Sequence, residues 1–158
     1  MGLSPQKKPQ YTPEQRSKKK GLIIVNTGDG KGKTSAALGV AFRASGNGMH
    51  VSIIQFIKGK WKYGELESAK QLKTPIEIHP MGEGFTWDTH NRERDIEMTQ
   101  KAWALCKEKM MSGKYDVVIF DEINYVIDYN YLKLNDVLET LQKKPERVHV
   151  ILTGRNAK

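Results

Sequence analysis

A glycine-rich loop between a predicted strand and a predicted helix constrains the fold of this chain most. The loop covers residues 28–35 and reads GDGKGKTS. The apolar run at residues 22–27 before it predicts a buried β-strand, and residues 36–42 after it predict a helix. Glycines let backbone N–H groups turn toward an anion, and the helix adds the positive end of its dipole. The sequence therefore predicts a cradle for the phosphates of a nucleoside triphosphate.

The loop and the residue before it supply the predicted nucleotide ligands. In such loops a lysine reaches the outer phosphates and a hydroxyl binds Mg²⁺, the roles expected of Lys33 and Thr34. The common pattern G-x-x-x-x-G-K-[ST] would place a glycine at position 27, where this chain has Thr27. The loop is one residue shorter than the common one, so we expect it to hold phosphates differently from a usual hydrolase. The expected ATP ligands here are Thr27, Gly28, Asp29, Gly30, Lys31, Gly32, Lys33, Thr34 and Ser35.

A pair of acids forms the second half of the predicted site. Asp121 and Glu122 directly follow the apolar run 117–120. We expect this strand to lie beside the first one and to deliver the acids to the carboxyl end of the sheet, near the metal. Thr34, Asp121 and Glu122 are the candidate Mg²⁺ ligands. Consecutive strand residues point to opposite sides, so only one acid is expected to touch the metal. Acids also end strands where no metal binds.

Strands and helices alternate along the rest of the chain. Strands are predicted at about 22–27, 51–57, 76–79, 116–120 and 147–152, and helices at about 34–45, 92–112 and 135–143. This order predicts a single α/β domain of the P-loop NTPase (RecA-like) type, with a parallel sheet covered by helices on both faces. Residues 1–20 are expected to form a basic flexible arm, and residues 21–158 the domain. Because a covering helix normally follows a central strand, we expect the C-terminal end to be truncated.

The charge and the cysteine content of the chain restrict its expected partners and its expected cellular compartment. The net charge is +8, of which residues 1–20 carry +5, so the domain itself carries only +3. We therefore expect no nucleic-acid partner, although a basic arm can bind phosphate backbones. The chain has one cysteine, which excludes an internal disulfide and favours a reducing, cytoplasmic location. No apolar run is long enough to span a membrane, so no membrane partner is expected.

An aromatic loop separates the two halves of the predicted site. Phe85 and Trp87 lie within residues 82–93, GEGFTWDTHNRE. One interpretation is that these rings close the core beneath the loop. The other is a flat apolar wall for a second, large substrate.

These motifs together resemble one enzyme family. The segments TGDGKGKTSAALG, QFIKGKW, GEGFTWDTHNRE, DEINY with DYNYL, and ILTGRN occur in the order found in ATP:corrinoid adenosyltransferases. The resemblance implies transfer of the 5′-deoxyadenosyl group of ATP to Co(I) of a corrinoid, with Mg²⁺ and release of tripolyphosphate. It implies that Phe85 and Trp87 lie beneath the corrin ring, displacing the lower axial ligand of cobalt. A homodimer, an N-terminal helix over the bound corrinoid and a flavoprotein reductant are also implied.

This chemistry asks the protein for positioning and charge stabilisation. Co(I) is a strong nucleophile, so no base is needed, and Lys33, Thr34 and Glu122 are the expected catalytic residues. Lys31 and Arg43, the latter in the following helix, are candidates to stabilise the departing triphosphate, and Arg43 joins the expected ATP ligands. Asp29 replaces a common asparagine of the family. A RecA-like ATPase or small-molecule kinase, with Glu122 activating water or a hydroxyl, is the alternative.

Overall fold

The computed structural model describes residues 20–59, 64–82 and 91–158, and the elements below lie in these ranges. Strands and helices alternate as the sequence predicts, with two additional short helices. The elements are β1 (Ile23–Asn26), α1 (Lys33–Gly46), β2 (Val51–Gln55), α2 (Gly64–Lys70), β3 (Ile76–Pro80), α3 (Arg92–Met111), β4 (Val117–Asp121), α4 (Ile123–Asp128), α5 (Leu134–Gln142) and β5 (His149–Thr153).

The five strands form one parallel sheet in the order β1-β5-β4-β2-β3. This confirms the predicted α/β class. The acidic strand β4 does not lie beside β1, however, and that expectation is wrong. The last strand of the chain, β5, pairs with both and separates them, with Ile24 opposite Ile151 and Val118 opposite Val150. Carboxyl ends of parallel strands share one edge of the sheet, so the acids still reach the loop.

Helices cover both faces of the sheet, as predicted. On one face α1 packs through a stripe of small residues, Ala37, Ala41 and Ala44, onto strand residues such as Ile53 and Ile119. On the other face α3 packs through residues spaced three and four apart, with Trp103 meeting Phe120 edge-on at 5.9 Å. The buried residues of α3 are Thr99, Ala102, Trp103, Cys106 and Met110.

The first strand is less buried than its apolar sequence predicts. Ile23 is 46% exposed and Val25 is 47% exposed. Among the described residues, β1 pairs with β5 alone, so it is an edge strand of the sheet. Both side chains lie on the face covered by α5, and Val25 lines a small apolar groove beside Leu138 of that helix. No helix in the described ranges has the length and apolar character to cross a bilayer.

Candidate nucleotide site

The glycine loop turns from β1 into α1 as the sequence predicts. Gly28 has φ 123° and Gly32 has φ 106°, a backbone region that side chains disfavour. Gly32 is the residue before α1, and no side chain caps this helix. The first backbone N–H groups of a helix have no partner within it, so those of Lys33, Thr34 and Ser35 are available to an anion.

Lys33 lies across the loop that precedes it. Its Nζ donates to the carbonyl oxygens of Gly28 at 2.6 Å and Gly30 at 2.5 Å. An ammonium group has three donors, so one remains for a phosphate oxygen. The two loop contacts fix the position of the charge, and the loop and its lysine act as one unit.

Thr34 is held by the buried acid of β4. Its Oγ1 donates to Oδ1 of Asp121 at 2.7 Å, and Oγ1 of Thr153 donates to the same oxygen at 2.8 Å. Nε2 of Gln55 lies 3.4 Å from Oδ2 of Asp121, which is 1% exposed. Asp121 thereby joins the first helix to three strands. Because Thr34 gives its proton to Asp121, the lone pairs of its hydroxyl are left for another ligand.

Glu122 leaves the strand and turns toward the cavity. Its φ is 63° and its ψ is 25°, a left-handed conformation that costs energy for a side chain with Cβ. Its backbone N–H donates to Oγ1 of Thr153 at 2.8 Å. Burial raises the pKa of the Glu122 carboxyl, and the neighbouring Asp121 adds to the rise, while Lys33, Arg155 and Lys58 oppose it. The two adjacent acids therefore have different surroundings.

A cavity of about 480 Å³ lies between the glycine loop and α4. Ligand sites of small molecules usually have this size. The loop and the first turn of α1 form one wall, and α4 with the segment after β5 forms the other. The lining residues are Gly30, Lys31, Gly32, Lys33, Thr34, Ser35, Glu122, Tyr125, Asp128, Tyr129, Arg155 and Asn156.

Several predicted site residues do not line this cavity. Arg43 lies in the last turn of α1, ten residues after Lys33, which is about 15 Å along a helix. It lies against a different surface pocket, beside Phe42, so the structure does not bring it to the loop. Thr27, Gly28 and Asp29 lie before the cavity wall, and Thr27 Oγ1 accepts a hydrogen bond from the N–H of Ala157 at 3.2 Å. The aromatic residues Phe85 and Trp87 lie outside the described residues.

Five cavity residues were not predicted from the sequence. Tyr125, Asp128 and Tyr129 come from α4 and its end, and Arg155 and Asn156 come from the turn after β5. They lie in the motifs DEINY, DYNYL and ILTGRN, but α4 itself was not predicted, so their common face was not apparent. With α4 known, the spacing 122, 125, 129 would have placed them on one side of a helix.

The donor set at the loop suits Mg²⁺. The hydroxyl of Thr34 and the carboxylates of Asp121 and Glu122 are hard oxygen ligands, the kind this ion prefers. Within residues 20–59, 64–82 and 91–158, no group of three or more His, Cys, Asp or Glu side chains could hold a metal by itself. Mg²⁺ in nucleotide sites takes one or two carboxylates and completes its shell with water and phosphate, so the residues fit.

Comparison with known proteins gives a consistent match. Residues 19–158 match the family model described as ATP:corrinoid adenosyltransferase BtuR/CobO/CobP. A corrinoid adenosyltransferase of Sinorhizobium sp. is 44% identical over 145 residues, covering 90% of this chain and 68% of that protein. The corrinoid adenosyltransferase of Escherichia coli K12 is 43% identical over 143 residues, covering 89% of this chain and 71% of that protein. Corrinoid adenosyltransferase CobA of Salmonella typhimurium LT2 gives the same values as the E. coli protein.

The match includes the glycine loop, the acidic strand and the turn after β5, which meet at the cavity. It also spans the aromatic loop between β3 and α3. The chain belongs to the ATP:corrinoid adenosyltransferase family.

Proposed function

We propose that this protein transfers the 5′-deoxyadenosyl group of ATP to the cobalt of a reduced corrinoid and releases tripolyphosphate. The observation that carries this proposal is the cavity itself. At its loop end, Lys33, Lys31 and the N–H groups of α1 surround a space suited to an intact triphosphate. The family match supplies the second substrate.

The reaction is a displacement at carbon. The electron pair of Co(I) forms the bond to C5′ of the ribose while the bond from C5′ to the triphosphate oxygen breaks. Cobalt becomes formally Co(III), and the leaving oxygen takes the bonding pair as tripolyphosphate. No proton is removed from the nucleophile, so no base is required.

The protein's part is to hold the leaving group and stabilise its charge. Lys33, fixed by two loop carbonyls, has a donor for the departing oxygens, and the amides of the first turn of α1 add theirs. Thr34 would hold Mg²⁺, with Glu122 as the carboxylate that faces the cavity and Asp121 behind it. Bound Mg²⁺ would supply positive charge at the phosphates. Arg155 lines the same cavity and adds a cation.

The remaining partners are extensions of this proposal. We infer from the family resemblance that Phe85 and Trp87 contact the corrinoid, that the protein is a homodimer, and that a flavoprotein supplies the electron. The residue at which the aromatic loop begins is held by a backbone hydrogen bond, in which the N–H of Gly82 donates to the carbonyl of Lys58 at 3.0 Å. Its end is the helix cap Asn91, whose side chain accepts from the N–H of Arg94 at 3.1 Å. A cytoplasmic location fits the single, buried, reduced Cys106.

The test is an anaerobic reaction of the protein with Mg-ATP and chemically reduced cob(I)alamin. We expect a light-sensitive alkylcobalamin spectrum and one equivalent of tripolyphosphate for each corrinoid converted. If the protein instead forms ADP and phosphate at a comparable rate without corrinoid, the ATPase or kinase alternative holds and this proposal fails.

Two lysine variants test whether the glycine loop is the active site. Lys33→Ala should abolish transfer, because the loop loses its fixed charge. Lys114→Ala is the matched control, since this exposed lysine lies in the turn before β4, at the amino ends of the strands. Equal loss of transfer in both variants would contradict the assignment of the loop as the active site.

A further inference from the structure

Gln55 is a buried polar residue that the proposed function does not use. It is the last residue of β2 and is 0% exposed. It lies in register with Asp121 of β4, so both side chains leave the same face of the sheet at its carboxyl edge. Ile53, two residues earlier in β2, points to that face and packs in the core under α1, the helix that carries Thr34. Gln55 therefore lies on the side of the sheet where the candidate Mg²⁺ ligands lie.

The carboxylate of Asp121 fixes the orientation of the Gln55 amide. An ionised carboxylate only accepts hydrogen bonds, so the amide must present its donor, Nε2, to Oδ2 of Asp121, and these two atoms are 3.4 Å apart. Oε1 of Gln55 then faces elsewhere. It is buried, and within residues 20–59, 64–82 and 91–158 no group donates a hydrogen bond to it. A buried acceptor without a donor is rare because its lost hydration is not replaced, so a donor brought by a ligand would satisfy it.

Two other buried polar atoms in the described part of the chain share this condition but have different surroundings. Oγ of Ser52 lies three residues before Gln55 on β2, and so on the opposite face of the sheet. Nε2 of His79 has a carboxylate oxygen of Glu77 at 3.4 Å. Of the three atoms, Oε1 of Gln55 alone is purely an acceptor and lies beside Asp121 at the carboxyl edge.

One carboxylate connects Gln55 to the glycine loop. Asp121 accepts from Thr34 through Oδ1 at 2.7 Å, and Gln55 lies at its other oxygen, Oδ2. Mg²⁺ held through Thr34 would keep several of its water molecules, because this ion dehydrates reluctantly. A water molecule whose oxygen binds a cation acts chiefly as a donor, and the positive charge makes it a strong one. A buried oxygen that can only accept is the matching partner.

We propose that Gln55 is a positioning residue of the Mg²⁺ site, its Oε1 accepting a hydrogen bond from a water molecule bound to the Mg²⁺ of Mg-ATP. One amide then supports Asp121 through Nε2 and the hydrated ion through Oε1. Removal of such outer partners typically lowers metal affinity roughly ten- to a hundredfold. This inference rests on the proposed function, because it takes Mg-ATP as the ligand, but it concerns binding and not the transfer step.

Calorimetric titration with ATP, once with Mg²⁺ and once with EDTA, tests this proposal. Gln55→Met has a similar length and no amide, so it should weaken Mg-ATP binding roughly ten- to a hundredfold and change metal-free ATP binding less than about threefold. Gln55→Glu keeps an acceptor at this position, so the ratio of the two affinities should stay at or above that of the unmodified protein. Gln142→Met is the matched control and should change neither affinity, because this exposed glutamine ends α5, at the amino ends of the strands.

The outcomes separate a metal-linked role from a structural one. Equal loss with Mg²⁺ and with EDTA in Gln55→Met would show a structural role, and no loss would show that Oε1 binds an ordinary buried water; either result overturns the proposal. A ratio that falls in Gln55→Glu as it does in Gln55→Met would assign the effect to Nε2 and overturns it too. Circular dichroism checks folding, and Gln55→Leu replaces Gln55→Met if the latter does not fold. Failure of the unmodified protein to bind ATP under either condition would instead refute the proposed function.

Discussion

The hydroxyl of Thr153 supports both acids of the site, and its removal gives a measurable prediction. Oγ1 of Thr153 donates to Asp121 at 2.8 Å and accepts from the N–H of Glu122 at 2.8 Å. Thr153 is 0% exposed. Thr153→Val keeps the shape of the side chain and removes both bonds. A buried N–H without a partner costs about 1–3 kcal/mol, and a bond to a charged group contributes about 1.5–3 kcal/mol.

The new apolar methyl group of valine offsets part of the sum of these two terms, so we expect Thr153→Val to lower the free energy of unfolding by about 2–4 kcal/mol. Urea unfolding followed by circular dichroism measures this, and with a slope of roughly 2 kcal/mol per molar the midpoint should fall by about 1–2 M. Thr140→Val is the matched control, since that hydroxyl donates to the backbone carbonyl of Asp136 in a solvent-exposed bond of α5. If the two variants lose the same small amount, the two contacts of Thr153 do not support the site.

Three further predictions test other parts of the molecule. Gly82→Ala should destabilise the protein by roughly 1–3 kcal/mol and slow transfer, because a Cβ there would lie 2.2 Å from the carbonyl oxygen of Ile57. The control is Gly39→Ala, where a Cβ would meet open space, and it should stabilise α1 by about 0.5–1 kcal/mol. A higher urea midpoint for Gly82→Ala than for Gly39→Ala would contradict this. Because the folded protein raises the pKa of Glu122 above its usual 4.5, this group favours folding at pH below 4.5 and loses that contribution as pH rises through the higher folded value. Glu122→Gln should therefore gain stability relative to the unmodified protein between acidic and neutral pH, and a constant difference across the titration would refute the burial argument. Burial raises the pKa of Cys106 well above its usual value, so Ellman's reagent should label it at the rate of unfolding, and fast labelling of the folded protein would contradict the packing.

The sequence was sufficient for the elements that local pattern determines. The apolar runs of β2, β4 and β5 became buried strands, and the stripe of α3 became its core face. The order of the strands in the sheet could not be predicted from local pattern, because strand pairing depends on contacts between residues distant in the sequence. β5 lies between β1 and β4 because of tertiary packing, which no local sequence pattern predicts. The edge position of β1, which leaves Ile23 and Val25 half exposed, follows from the same order.

The candidate site was predictable where chemistry and spacing coincide. Lys33, Thr34 and the two acids meet as expected, because a glycine loop and a strand end are both at the carboxyl edge of the sheet. Arg43 does not line the cavity, since ten residues of helix separate it from Lys33 along α1, and its role as an ATP ligand stays a prediction. The tyrosines of α4 were missed because this helix has only six residues, too few for a periodic pattern to be read.

The adjacent acids Asp121 and Glu122 have separate tasks because the backbone changes direction between them. Asp121 keeps the strand geometry, and its side chain is buried against Thr34, Thr153 and Gln55. Continued strand geometry would turn Glu122 away from the cavity edge, whereas the left-handed conformation brings it to the cavity wall. The bond from its N–H to Thr153 holds that costly conformation. One hydroxyl thus couples the acid that holds Thr34 to the acid that lines the cavity.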